Sequence, residues 1–70
     1  MEKLAAHVTG TVARIEKQPG ERVTKGEVVV VLESMKMEMF VEAAVGGTVR
    51  EVRCSEGQAV SEGDVLVVLE

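Results

Sequence analysis

The 70-residue chain has no tryptophan or tyrosine, one phenylalanine, one proline, one histidine and one cysteine. Each shortage excludes something. A single aromatic residue makes no stacking platform for successive nucleic-acid bases. A formal charge of −4, from eight basic and twelve acidic residues, is wrong for a phosphate-backbone binder. A lone Cys54 cannot close an internal disulfide or supply a four-thiolate zinc site, so a reducing compartment is expected. The longest apolar run, Val28 to Leu32, has five residues and cannot span a bilayer. Met1 to Ala6 carries two charges and no apolar stretch of signal-peptide length. One His, one Cys and no Ser-His-Asp set leave no candidate for autonomous catalysis. A chain of this size also has little interior for an enclosed substrate cavity.

Fifteen valines dominate what remains, and valine favours strands. Their arrangement repeats. Gly10–Glu33 (GTVARIEKQPGERVTKGEVVVVLE) and Gly47–Glu70 (GTVREVRCSEGQAVSEGDVLVVLE) are identical at 11 of 24 positions, at an offset of 37. Two copies are too few for a stacked array, so the halves are expected to pack on each other about a pseudo-twofold axis. Each copy reads as a strand (Thr11–Lys17, Thr48–Cys54), a Gly turn, a very short strand at Val23 or Val60, a second Gly turn, and a closing strand (Val28–Glu33, Val65–Glu70). Gln18-Pro19-Gly20-Glu21 fits a type II turn: Pro sets a negative φ and Gly accepts a positive one. The closing strands are apolar at nearly every position, as expected for burial on both faces. Many short strands with frequent turns predict an all-β sandwich or barrel, a single domain over residues 1–70.

Between the copies lies SMKMEMFVEAAVG, residues 34–46. Its composition favours helix, but Met37, Met39, Val41 and Ala43 alternate with Glu38, Phe40 and Glu42. Val41–Val45 also aligns with Leu4–Val8 across the repeat, so the segment is read as strand. Two strands then meet in a hairpin at Met35-Lys36. A tight hairpin favours Asn-Gly, Asp-Gly or Gly-X at its centre, because that centre needs positive φ. Every other turn of the chain has its glycine and this one has none. A local rule broken at one place often marks function. Lys36 is expected to project outward, on the symmetry axis.

At these residues the chain resembles a known family. Glu33-Ser34-Met35-Lys36-Met37-Glu38 is similar to the attachment motif of biotinyl domains, the carriers of biotin-dependent carboxylases and transcarboxylases. The resemblance extends over both halves and their paired turns. It implies a flattened β-barrel of two four-stranded antiparallel sheets with the modified lysine at a hairpin tip. It implies covalent biotin on Lys36, with Met35, Met37, Glu33 and Glu38 recognised by biotin protein ligase. It further implies a non-catalytic component that carries carboxybiotin between biotin carboxylase and carboxyltransferase sites; a monomer is expected, since a carrier must detach from each site. Ser34 stands where the commoner motif has Ala, and Arg14–Val23 leaves no room for the protruding loop of some acetyl-CoA carboxylase carriers. The related lipoyl domains flank their lysine with Asp and Ala, and Met35 and Met37 favour biotin over lipoate; lipoylation of Lys36 stays open. Cytoplasmic location is expected, and a mitochondrial one stays open for a domain of a larger carboxylase.

Readings of other classes also exist. Met35, Met37 and Met39 would share one strand face, and thioethers suit Cu(I); the alternative is that Met39 packs in the core. An unmodified adaptor module is a third. His7 is expected to be a half-buried strand residue, and Cys54, aligned with Lys17, a partly exposed thiol.

Overall fold

The computed structural model describes all 70 residues and contains eight strands. They are β1 (Glu2–Ala5), β2 (Gly10–Ile15), β3 (Arg22–Val23), β4 (Val28–Ser34), β5 (Met37–Glu42), β6 (Gly47–Val52), β7 (Ala59–Val60) and β8 (Val65–Leu69). They form two four-stranded antiparallel sheets, ordered β1-β8-β6-β3 and β5-β4-β2-β7. Adding 37 to the residues of β1–β4 gives β5–β8 and exchanges the two sheets, so the repeat is a pseudo-twofold of the fold. Each sheet takes two strands from each half, and neither half can form its sheet alone.

The four glycine turns are built alike. Gly20, Gly26, Gly57 and Gly63 have φ of 94°, 88°, 88° and 95°, a region that penalises a Cβ. In each turn the last residue donates its N–H to the first residue's carbonyl (Glu21 to Gln18, Gln58 to Ser55, both 3.1 Å). The side chain of that last residue also accepts from the first residue's N–H: Gln18 to Glu21 Oε1 at 2.6 Å, Ser61 to Asp64 Oδ2 at 2.8 Å. The Pro19-Gly20 reading as a type II turn holds.

The inner faces bury Val12, Val23, Val30, Leu32, Val49, Leu66, Val67 and Leu69, each at most 2% exposed. Val31 and Val68 are equally buried yet stand apart from this core cluster. They lie on the outer sheet faces, so the central strands β4 and β8 are covered on both sides, as their apolar runs predict.

Three expectations are corrected. His7 lies exposed in the bend between β1 and β2, outside any strand. Cys54 is buried at 8% exposure and belongs to the core cluster. Its equivalent Lys17 keeps its long stem half-covered and reaches Glu27 Oε2 at 2.8 Å; a short apolar thiol has no such reach and turns inward. Finally, the pseudo-twofold relates the β4–β5 tip to the ends of β8 and β1, so Lys36 is off the axis. The strands also start or stop a few residues from the sequence reading: β2 ends at Ile15, β6 at Val52 and β5 at Glu42.

Candidate functional site

β4 and β5 pair without irregularity toward their connection: Val31 faces Phe40, Leu32 faces Met39, Glu33 faces Glu38 and Ser34 faces Met37. Only Met35 and Lys36 remain for the turn. Their φ angles are 53° and 67°, the sole positive values outside glycine. A two-residue loop with both central residues left-handed matches the right-handed twist of its flanking strands. For residues with a Cβ that backbone costs roughly 1–2 kcal/mol each. The surrounding ladder holds it in place, and the sequence anomaly at the tip is a real conformational one.

The tip is exposed. Met35 is 92% and Met37 63% accessible, and Lys36 is exposed with no ion pair or side-chain hydrogen bond. Met39, one inward position further along β5, packs against the core. The three methionines therefore do not share one strand face: Met35 is in the turn, and only Met37 and Met39 alternate on the inner side.

The root of the hairpin is anchored twice. Ser34 Oγ donates to the carbonyl of Thr9 at 3.0 Å, tying β4 to the β1–β2 loop. A Cβ at Gly10 would collide with the carbonyl of Glu33 and meet Ser34 Cβ at 3.3 Å, so only glycine lets β2 start this close. Glu33 and Glu38 stand directly opposite each other on the outer face below the tip. Arg14 offsets their repulsion, with Nη1 at 3.2 Å from Glu38 Oε2 and Nε at 3.4 Å from Glu16 Oε2. These two carboxylates, Glu16 foremost, push the Arg14 pKa further up and keep the guanidinium charged. Sequence reasoning did not find Arg14, Thr9 or Gly10 in this role. They come from distant parts of the chain, and only the sheet register brings them to the hairpin.

An exposed, unpaired primary amine on a preset turn can be acylated by an enzyme that closes around it. The residues present therefore fit a covalent prosthetic group on Lys36.

The family model described as biotin-requiring enzyme matches residues 2–69. The chain belongs to this biotin/lipoyl attachment family. Its members are carrier modules within enzymes, holding biotin or lipoate covalently, and are not themselves catalytic. Among solved structures the chain is similar to the urea carboxylase of Kluyveromyces lactis (32% identity, TM-score 0.93), covering 99% of this chain and 6% of that one. It is similar to a single-chain, multi-domain long-chain acyl-CoA carboxylase (33% identity, TM-score 0.89), covering 94% and 7%. It is also similar to the lipoyl domain of the 2-oxoglutarate dehydrogenase complex from Azotobacter vinelandii (32% identity, TM-score 0.77), covering 96% and 95%. No curated protein matches the chain significantly. The attachment domain thus corresponds to a small part of each carboxylase and to nearly all of the lipoyl domain.

Proposed function

We propose that residues 1–70 form a biotin carrier domain whose acceptor is Lys36. The observation that carries this reading is the tip itself: Met35 and Lys36 in left-handed conformation, with exposed methionines on both sides of an unpaired amine. The two carboxylase relatives, at TM-scores of 0.93 and 0.89, support the choice of biotin. When bound, biotin supplies a ureido nitrogen able to take up and release a carboxyl group. The chain supplies placement. The β4–β5 ladder holds the attachment point on a rigid base, and tethering raises the local concentration of the carried group at each partner site. The partners are a biotin protein ligase, a biotin carboxylase and a carboxyltransferase. Met35, Met37, Glu33 and Glu38 are the residues offered to the ligase, Met35 and Met37 through flexible apolar contact.

Lipoate is the second reading, favoured by the lipoyl-domain relative of nearly equal length. Co-expression with a biotin protein ligase, followed by intact mass, separates the two. The expected result is a gain of one biotinyl group that Lys36→Ala abolishes. A lipoyl gain on the same lysine would move the chain to the dehydrogenase carriers. A folded chain that stays unmodified would overturn both.

A further inference from the structure

The backbone pseudo-twofold does not carry the surface charge with it. Across β2, β4 and β5 one outer row reads Arg14–Val31–Phe40; the equivalent row across β6, β8 and β1 reads Glu51–Val68–Lys3. One position further along β2 and β6, Glu16 is exchanged for Arg53. The charges therefore invert between faces. On the hairpin-bearing face Arg14 is taken up by Glu16 and Glu38, while Glu33 and Glu42 have no cationic partner.

Phe40 is the only aromatic residue of the chain and is 48% exposed. It flanks Val31, which is fully buried. That duty does not explain a phenylalanine: in the other half Lys3 stands in the same place, and Val68 is still only 2% exposed. The ring is surplus to packing. It lies on the strand that begins at the tip, four residues from Lys36, among unpaired carboxylates.

We propose that the outer face of β5-β4-β2 is the docking surface of the carrier, with Phe40 as its apolar anchor, for a partner protein presenting a basic surface with an apolar recess. This rests on the carrier reading above. The partner that loads a carboxyl group from bicarbonate handles an anion, and such a site is electropositive. Opposite potential steers encounter, and an aromatic anchor at the centre of a contact supplies much of the binding energy. The opposite face has Lys3 in place of the ring and its Arg53 pairs with Glu51 at 2.9 Å, so it offers neither the apolar anchor nor the unpaired carboxylates.

The test uses the full chain, biotinylated on Lys36 and verified by intact mass, as substrate for the isolated biotin carboxylase component of an acyl-CoA carboxylase. Phe40→Ala is expected to lower kcat/KM about tenfold with kcat nearly unchanged. Phe40→Lys, which copies the other half and keeps Val31 covered, is expected to do the same even if Phe40→Ala is poorly folded. Glu42→Lys is expected to lower kcat/KM several-fold at low salt, with the difference vanishing at high salt. Lys3→Glu on the opposite face is expected to change nothing. Fully biotinylated Phe40→Lys and Glu42→Lys chains that match wild type within twofold would overturn the docking surface and leave the carrier intact. An equal loss in Lys3→Glu would also overturn it. A wild-type chain that takes up no biotin would overturn the carrier reading, and this inference with it.

Discussion

Gly57 donates its backbone N–H to the carbonyl of Val12 at 2.8 Å, across the boundary between the two repeats. The symmetric bond runs from Gly20 to Val49, also 2.8 Å. Gly63 to Ala6 and Gly26 to Ala43 repeat the exchange at 2.8 Å. Each half thus clips one turn to the second strand of the other and one to the residue that follows its first strand, so the halves are interlocked as well as packed.

Separation of the halves should therefore abolish the fold. Peptides 1–36 and 37–70 are each expected to show unfolded circular dichroism, and an equimolar mixture to regain strand signal. In the intact chain Gly57→Ala should cost about 1–2 kcal/mol, because the left-handed backbone there opposes any Cβ. Urea unfolding measures it. An unchanged midpoint would show that the turn adapts.

The strain at the hairpin tip makes a prediction of opposite sign. Met35→Gly should stabilise the chain by about 1 kcal/mol, since glycine accepts a φ of 53° without penalty. For a domain this small that is a rise in Tm of about 4–8 °C. The same change should slow modification of Lys36 by the ligase, because it removes an exposed methionine and loosens the turn. Thermal unfolding and time-resolved intact mass read the two effects separately. A lower Tm would show that the ladder does not impose strain at Met35.

The Lys17–Glu27 pair sets a pH window. The Lys17 ammonium, together with the Thr24 N–H, lowers the Glu27 pKa from its ordinary 4.5, and Glu27 raises that of Lys17 from 10.5. A depressed carboxylate stabilises above its unfolded pKa, and the effect is lost as pH falls through the folded value. A raised ammonium stabilises below its unfolded pKa, and the effect is lost as pH rises through the folded value. Wild type should therefore lose stability relative to Lys17→Met both in acid, below about pH 4.5, and in base, above about pH 10.5. Urea midpoints of both chains across pH check this. The difference should be small, because the pair lies near the surface.

Much of this fold was legible because its signals are local or repeated. Glycine at the third turn position, valine alternation and the 37-residue repeat together predict the short strands and their symmetry. The repeat also resolved the segment Met37–Glu42, where helix propensity and strand periodicity disagreed. The tip was legible by exception, as the one turn without glycine. Cys54 and His7 were not legible. The repeat aligns Cys54 with Lys17, but alignment equates backbones, and a thiol and an ammonium on equivalent backbones face opposite environments.

The all-β class, the duplicated architecture, the hairpin and the lysine at its tip are all written in the order of the residues. These follow from residue types acting on their own backbone: glycine where φ is positive, valine where a strand is covered, and a tip that breaks the rule. It took the folded arrangement to show that each sheet mixes both halves, that Ser34 is tied to Thr9, and that Arg14 sits between Glu16 and Glu38. That arrangement also decided that Phe40 shares a face with unpaired carboxylates while its counterpart Lys3 lies on a face whose Arg53 and Glu51 pair with each other. Those relationships join residues distant in sequence, and strand order and register, set by burial of the two inner faces, bring them together.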